Sequence, residues 1–353
     1  MTKNAAVSEG VANVVHLQQG DEIRFAGTDD GHDGIKIVTD DWQQIHVPSR
    51  ITRGADLISL NDADDNVYEG PDGTLYAVSP TLPYFDTTFS DYALSDINLV
   101  LVHHALAKAG LGGQRVNLVT GLPVGDYYVA NRPNVDFIAR KVAHLRENTV
   151  RNKNESVALA TIVKHNVVSE AIAAFFDLLL DRDGNQRDDV AQMVASGGIA
   201  IVDIGGKTTD TAVVMNGGRD VDGKRSGTDP IGGLSLNKAV ENELKAAFSV
   251  TALNPAQVDR AVREGVLRLY GKDHDCSAII ESQKGELANQ IIAATHRKMR
   301  DASDLERVFF VGGGALLLRD QLAELYPHAE FVEDPQFANA RGMLKAAMFL
   351  QPR

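Results

Sequence analysis

One cysteine, Cys276, occurs in 353 residues, so no internal disulfide can form and a reducing compartment is the natural setting. Long apolar runs are missing as well. The most apolar stretch, Ile97 to Leu106, falls far short of the ~20 residues that span a bilayer. Residues 1–20 have neither a basic start nor an apolar segment, which argues against a secretory signal and for a cytoplasmic protein. Positive charge is also in deficit. With 35 Lys and Arg against 48 Asp and Glu, the net charge is −13. Direct duplex binding needs clustered basic side chains, so any nucleic-acid role should pass through a partner. What remains is an ordinary soluble composition, 44% apolar and 24% charged, which excludes a disordered or fibrous chain. At ~100–200 residues per domain, the length fits two or three domains.

Residues 1–21 have weak periodicity and read as a flexible tail. A meander follows, with a strand over 22–28, a tight turn at Asp29-Asp30-Gly31-His32-Asp33-Gly34, and strands over 35–39 and 43–47. The segment 50–95 is rich in Gly, Pro and Asp, with a hairpin about Pro71-Asp72-Gly73. A Ser-capped helix is expected over 95–111, and a short strand over 116–120 runs into Gly121-Leu122-Pro123. A helix over 135–147, a strand over 157–163 and a helix over 170–180 capped by Ser169 complete the first half.

The second half repeats this order. A strand over 199–203 meets the Gly-rich turn 204–208 and returns over 209–215, with a third strand over 219–224. Helices are expected over 234–248, 255–267 and 283–300, then a strand over 307–311 ending in Gly312-Gly313-Gly314 and a helix from Ala315. A strand over 330–332 and a helix over 337–350 end the chain. Each meander opens with an apolar strand ending in Asp-X-Gly, led by Asp29 and Asp203. Two α/β halves of this kind can face one another across a cleft.

Gly-rich turns present backbone N–H groups and let an anion approach closely, so two opposed turns can grip a polyphosphate. An aspartate at the start of each, Asp29 and Asp203, could hold Mg²⁺ through its water shell. Asp-Gly pairs also occur as plain turns; the pair of them after apolar strands carries the weight. Asp30, adjacent to Asp29, could partly substitute for it. Lys36 either faces solvent or points at phosphate. Gly206-Lys207-Thr208 is not a Walker loop, because Ile201 stands where that motif needs Gly and a strand follows instead of a helix. Glu170 either sits favourably at a helix start or orients a water attacking a terminal phosphate. Three consecutive glycines at a strand-to-helix junction suit a base or ribose lying on backbone. His103 and His104 have no metal-ligand neighbours in sequence and read as structural.

The Asp29…Lys36, Asp203…Asp210 and Val311–Gly314 segments resemble the phosphate-1, phosphate-2 and adenosine motifs of the actin, Hsp70 and sugar-kinase superfamily. Between them, Gly121-Leu122-Pro123-Val124-Gly125-Asp126-Tyr127-Tyr128, Arg132-Pro133-Asn134 and Arg140-Lys141 resemble the ParM/StbA plasmid-segregation actins, as do Val102–Leu106 and Gly342-Met343. The resemblance implies an α/β, actin-like fold, a duplicated ribonuclease H-like architecture with a nucleotide cleft between its halves. It implies domains over 22–165, with an inserted subdomain about 50–95, and 166–335, and a C-terminal helix over 336–353 returning to the first. Asp29, Gly31, His32, Asp33, Gly34 and Lys36 would form one phosphate turn, and Asp203, Gly205, Gly206, Lys207 and Thr208 the other. Gly312, Gly313 and Gly314 would border purine and ribose, and Glu170 would position the hydrolytic water. His32 and Asp33 depart from the Ser or Thr and small residues of relatives, and Lys207 from a small polar residue. The implied cofactors are Mg²⁺ and ATP, with GTP open because no residue visibly reads the purine edge.

The function so implied is a filament-forming ATPase that moves plasmid copies, acting on DNA through a centromere-binding adaptor of ParR type. Neither direct nucleic-acid binding nor a membrane is expected. A small-molecule kinase would need an Asp base beside its acceptor, and none is identifiable. An Hsp70-like chaperone would need a peptide-binding domain. A chromosomal shape or division actin often has a basic membrane-binding helix, and residues 1–20 lack one.

Overall fold

The computed structural model describes residues 22–54, 66–79 and 84–350. The expected tail over 1–21 and parts of the 50–95 segment lie outside the described residues.

Two sheets with one plan organise the chain. In the first, Ile23–Asp30 pairs antiparallel with Gly34–Thr39, which pairs with Gln44–Pro48. On its other side Ile23–Asp30 runs parallel to Arg115–Leu122, and that strand runs parallel to Thr161–Ser169. In the second sheet, Ile199–Ile204 pairs antiparallel with Thr209–Met215 and parallel with Arg307–Val311, which pairs with Ala329–Phe331. The strand order is the same in both, a meander on one flank and parallel strands on the other. Parallel strands buried on both faces read as continuous apolar runs, and Ile199–Ile204 is buried at every position.

Each sheet has its own core. Helix Asp96–Lys108 lays Leu99, Val102 and Leu106 over Ala26, Ile37 and Leu118 of the first. Helices Gly233–Phe248 and Ser277–Met299 lay Leu236, Val240 and Ile291 over Val202, Val213 and Phe310 of the second. Each such side chain contributes about 1.5–3 kcal/mol by leaving water. Helix Glu170–Leu179 packs against the C-terminal helix Ala338–Lys345, which also lies on the first sheet. Gly342 and Gly27 allow these close approaches, since β-carbons there would overlap the backbone of Ala173 and of Ala340 and Leu344. Lys345 and Arg341 both hold the buried carboxylate of Asp177.

Several elements differ from expectation. The strand expected over 157–163 is Thr161–Ser169, with a bulge between Ile162 and Lys164 that disturbs its alternation. The expected division between 165 and 166 falls inside this strand. Ser169 precedes the next helix but makes no side-chain capping bond; its hydroxyl is buried without a partner. Helix Asp188–Ser196 was not expected; its acidic first turn suits a helix N-terminus. The helix from Pro255 stops at Glu264 because Gly265 adopts φ +73°, and a hairpin, Val266–Leu269 with Lys272–Asp275, follows. The strand expected over 219–224 shrinks to Asp220–Val221, and Gly227–Asp229 adds a second edge pairing.

Candidate functional site

The two hairpins bring Asp29 and Asp203 to one cavity. Antiparallel register places Lys36 opposite Asp29 and Asp210 opposite Asp203, each seven positions on. Lys36 Nζ lies 3.7 Å from Asp29 Oδ2, and both are buried. Gly31 backs onto this pair: a β-carbon there would stand 3.4 Å from Asp29 Oδ1 and 3.5 Å from Lys36 Nζ. The turns themselves meet, since a β-carbon on Gly206 would stand 2.9 Å from that of Asp33.

Asp29, Gly31, His32 and Lys36 line the cavity from the first half, and Asp203, Gly205, Gly206, Lys207 and Thr208 from the second. Glu170, Gly312 and Gly313 complete the set brought together. Three expected residues lie elsewhere. Asp33 Oδ1 accepts from Arg50 at 2.9 Å, and Arg50 also reaches Asp259 at 3.3 Å. Gly34 packs on the His46 ring, and Gly314 on Ile204. Asp33 and Gly314 instead border a second cavity with Asn237, Arg263, Lys284 and Gln336, and Gly313 is common to both. Asp33 is held by its ion pair to Arg50, Gly34 is paired in the sheet with Pro48, and Gly314 lies inside the helix that Gly312 caps.

Asp30 is not a spare for Asp29. Its carboxylate is buried on Lys141 Nζ at 2.8 Å and accepts from Asn98 Nδ2 at 3.0 Å. Lys141 also donates to the Gly121 carbonyl. Such a pair is strongly destabilised, by about 3–5 kcal/mol, when one partner is removed.

Glu170 packs on Gly121 in the cavity wall, where a β-carbon would overlap the Glu170 side chain. Burial, then the charges of Asp29, Asp210 and Asp203, hold its carboxyl well above the usual range. Asp203 is pushed up to about 7, first by burial and then by Asp29 and Asp210, against a 2.7 Å bond from Asn339 Nδ2. Asp210 is pushed up to about 6 by burial, opposed by bonds from Thr228, the Val124 N–H and Thr208. Burial also raises Asp29, with Lys36 opposing. Burial pulls on Lys36, but Asp29, Asp33, Asp203 and Glu170 together raise it.

His32 is half-buried and anchored by residues 87–92. Its Nδ1 lies 2.5 Å from the Thr87 carbonyl, the Thr87 hydroxyl donates to the His32 carbonyl at 2.6 Å, and its ring packs on Tyr92. Burial lowers it to about 4. His103 and His104 lie inside helix Asp96–Lys108, buried, with Tyr68 Oη 2.7 Å from His104 Nδ1. Sequence reasoning missed Asn339 and Lys141 at the site. Both sit on helices whose sequence spacing carries no sign of this contact.

The residues fit a hydrated divalent cation with a polyphosphate. Two hard carboxylates share the cavity, which suits Mg²⁺ held through water. Asn339 Oδ1, on the same cavity, is a buried acceptor without a partner.

The architecture, two sheets of one topology with a cavity between their opening hairpins, is the actin-like fold. Residues 28–181 match the family model described as "Plasmid segregation protein ParM, N-terminal", and residues 201–324 that described as "Archaeal actin homologue MreB-like, C-terminal". Among solved structures, a non-polymerisable quadruple mutant of pCBH ParM has TM-score 0.74 at 20% identity, covering 92% of this chain and 98% of that one. A 15-stranded ParM filament from Clostridium botulinum has TM-score 0.72 at 19% identity, covering 92% and 99%. An archaeal actin homologue in complex with ADP has TM-score 0.74 at 18% identity, covering 92% and 99%. No curated protein sequence matches at a significant level. The chain is an actin-like protein resembling the ParM/StbA segregation actins.

Proposed function

We propose that this protein is an ATPase that polymerises with bound nucleotide and segregates plasmid DNA through a centromere-binding adaptor of ParR type. The observation that carries the reading is the convergence of Asp29, Lys36, Asp203 and Glu170 on one cavity flanked by two Gly-rich turns. Support also comes from the matched ParM N-terminal model, and from relatives described as a ParM filament and as an ADP complex. In this reading Asp29 and Asp203 hold the water shell of Mg²⁺, and Lys36 and the Gly205–Gly206 backbone take the phosphates. Bound Mg²⁺ neutralises charge on the phosphate oxygens. Purine and ribose lie in the cavity bordered by Gly313, Gly314, Asn237 and Arg263. Glu170 orients a water and accepts its proton on a carboxylate oxygen.

The proposed domains are 22–169 with an inserted subdomain, 170–335, and the C-terminal helix returning to the first, the boundary following strand Thr161–Ser169. Among the described residues no helix is long and apolar enough to cross a membrane, and the proposed setting is the cytoplasm. The test is sedimentation and electron microscopy of the purified protein with Mg²⁺ and ATP, a slowly hydrolysed ATP analogue, or GTP. Filaments with nucleotide and none in Asp203→Ala are expected. Wild-type nucleotide affinity and assembly in Asp203→Ala would sink the assignment, and a protein that never pellets but phosphorylates a small acceptor would be a kinase.

A further inference from the structure

The charges lining the phosphate cavity are unevenly partnered. Of its three lysines, Lys36 is paired with Asp29 and Lys141 with Asp30. Lys207 makes no ion pair among the described residues; its Nζ donates to the Phe89 carbonyl at 3.3 Å. The exposed Asp126 feels its charge without pairing to it. Lys207 also lies between two spaces, lining both the phosphate cavity and an outer cleft bounded by Tyr84, Thr87, Ser235 and Glu241.

Phe89 belongs to residues 84–94, which contribute Ser90, Tyr92 and Ala93 to the cavity wall. The first half holds this segment firmly: Thr87 exchanges two bonds with His32, and the Tyr92 ring lies on that of His32. From the second phosphate turn, the polar link among the described residues is the Lys207 ammonium on one neutral carbonyl. An ammonium exchanges a neutral acceptor for an anionic one readily, because attraction between two full charges is added to the hydrogen bond.

Resting on the nucleotide reading above, we propose that Lys207 is a triphosphate-specificity residue that leaves the Phe89 carbonyl for the terminal phosphate when a triphosphate binds. A diphosphate reaches less far and leaves Lys207 on Phe89. The terminal phosphate is thus read by the second turn and reported to residues 84–94 as a broken link.

The test uses the full chain with Mg²⁺ and either ADP or a slowly hydrolysed ATP analogue. Calorimetry gives both affinities for wild type, Lys207→Met and Lys207→Arg, and hydrogen exchange follows residues 84–94. Wild type should prefer the analogue, and Lys207→Met should lose that preference by on the order of tenfold or more, the scale of a charged hydrogen bond. ADP affinity should fall much less, and Lys207→Arg should restore part of the preference. The analogue should speed exchange over residues 84–94 in wild type relative to ADP, and Lys207→Met should exchange fast with either. An unchanged preference in a folded Lys207→Met, or exchange over 84–94 that ignores the terminal phosphate, overturns the proposal while leaving nucleotide binding intact. Wild-type protein that binds neither nucleotide overturns the underlying reading as well.

Discussion

Gly312 and Asp203 approach so closely that no β-carbon fits between the Gly312 backbone and the Asp203 carboxylate. Asp203 pairs with Val311 on the adjacent parallel strand, and Gly312 follows at the point where Arg307–Val311 gives way to a helix. Gly312 also adopts φ +87°, in the region that disfavours L side chains. One residue therefore meets two independent demands for glycine, and both serve the position of one carboxylate.

Gly312→Ala should accordingly displace Asp203. We expect a loss of about 1–3 kcal/mol in stability from backbone strain, with Mg²⁺-dependent nucleotide affinity reduced at least about tenfold, the equivalent of 1.4 kcal/mol. Gly313→Ala is the control, because a β-carbon there meets nothing within 4 Å; its unfolding midpoint should match wild type. Equal nucleotide affinity in wild type and Gly312→Ala would show that the close approach is incidental to the site.

Hydrolysis and assembly should separate at Glu170. In the proposed reading this side chain grips neither phosphate nor metal, so Glu170→Ala should still bind ATP and form filaments. Orienting and general-base roles are worth on the order of 10²–10⁴ in rate, and phosphate release should fall by that order. Filaments should then outlast the nucleotide supply. Phosphate release at the wild-type rate would reduce Glu170 to a helix-start acid, a role worth about 0.3–1 kcal/mol.

Buried histidines should pull stability down in mild acid, opposed by the buried carboxyls of Asp203 and Asp210, which folded chains protonate first. Burial lowers His103 and His104 to about 4 and His165 to about 3, against an ordinary 6.5. Above 6.5 each ring is neutral folded and unfolded, and no dependence arises. As pH falls below that value, unfolded chains take up protons that folded ones refuse. Each histidine then costs about 1.4 kcal/mol per pH unit until its folded value is reached. His103→Leu should flatten this slope by one proton between pH 6 and 5, and remove two buried ring nitrogens that lack partners. Urea unfolding at several pH values measures this; an unchanged slope would mean that His103 protonates equally in both states.

The duplicated plan and much of the site were legible in the chain alone. An apolar strand, a Gly-rich turn and a returning strand determine their own register, so residues seven apart, Asp29 with Lys36 and Asp203 with Asp210, are bound to face one another. The glycines at 205, 206 and 312–314 were readable for the same reason, being local requirements of turns. What tertiary structure alone decided is which of these groups share a space. Asp30 and Asp33 stand beside the phosphate turn in sequence, yet one is taken by Lys141, 111 residues on, and the other by Arg50. Asp203 receives its hydrogen bond from Asn339, 136 residues away on a helix that packs against the first sheet. Local spacing determines which way a side chain leaves its strand, but partners so distant are chosen only when the helices pack and buried charges must each find a counterpart.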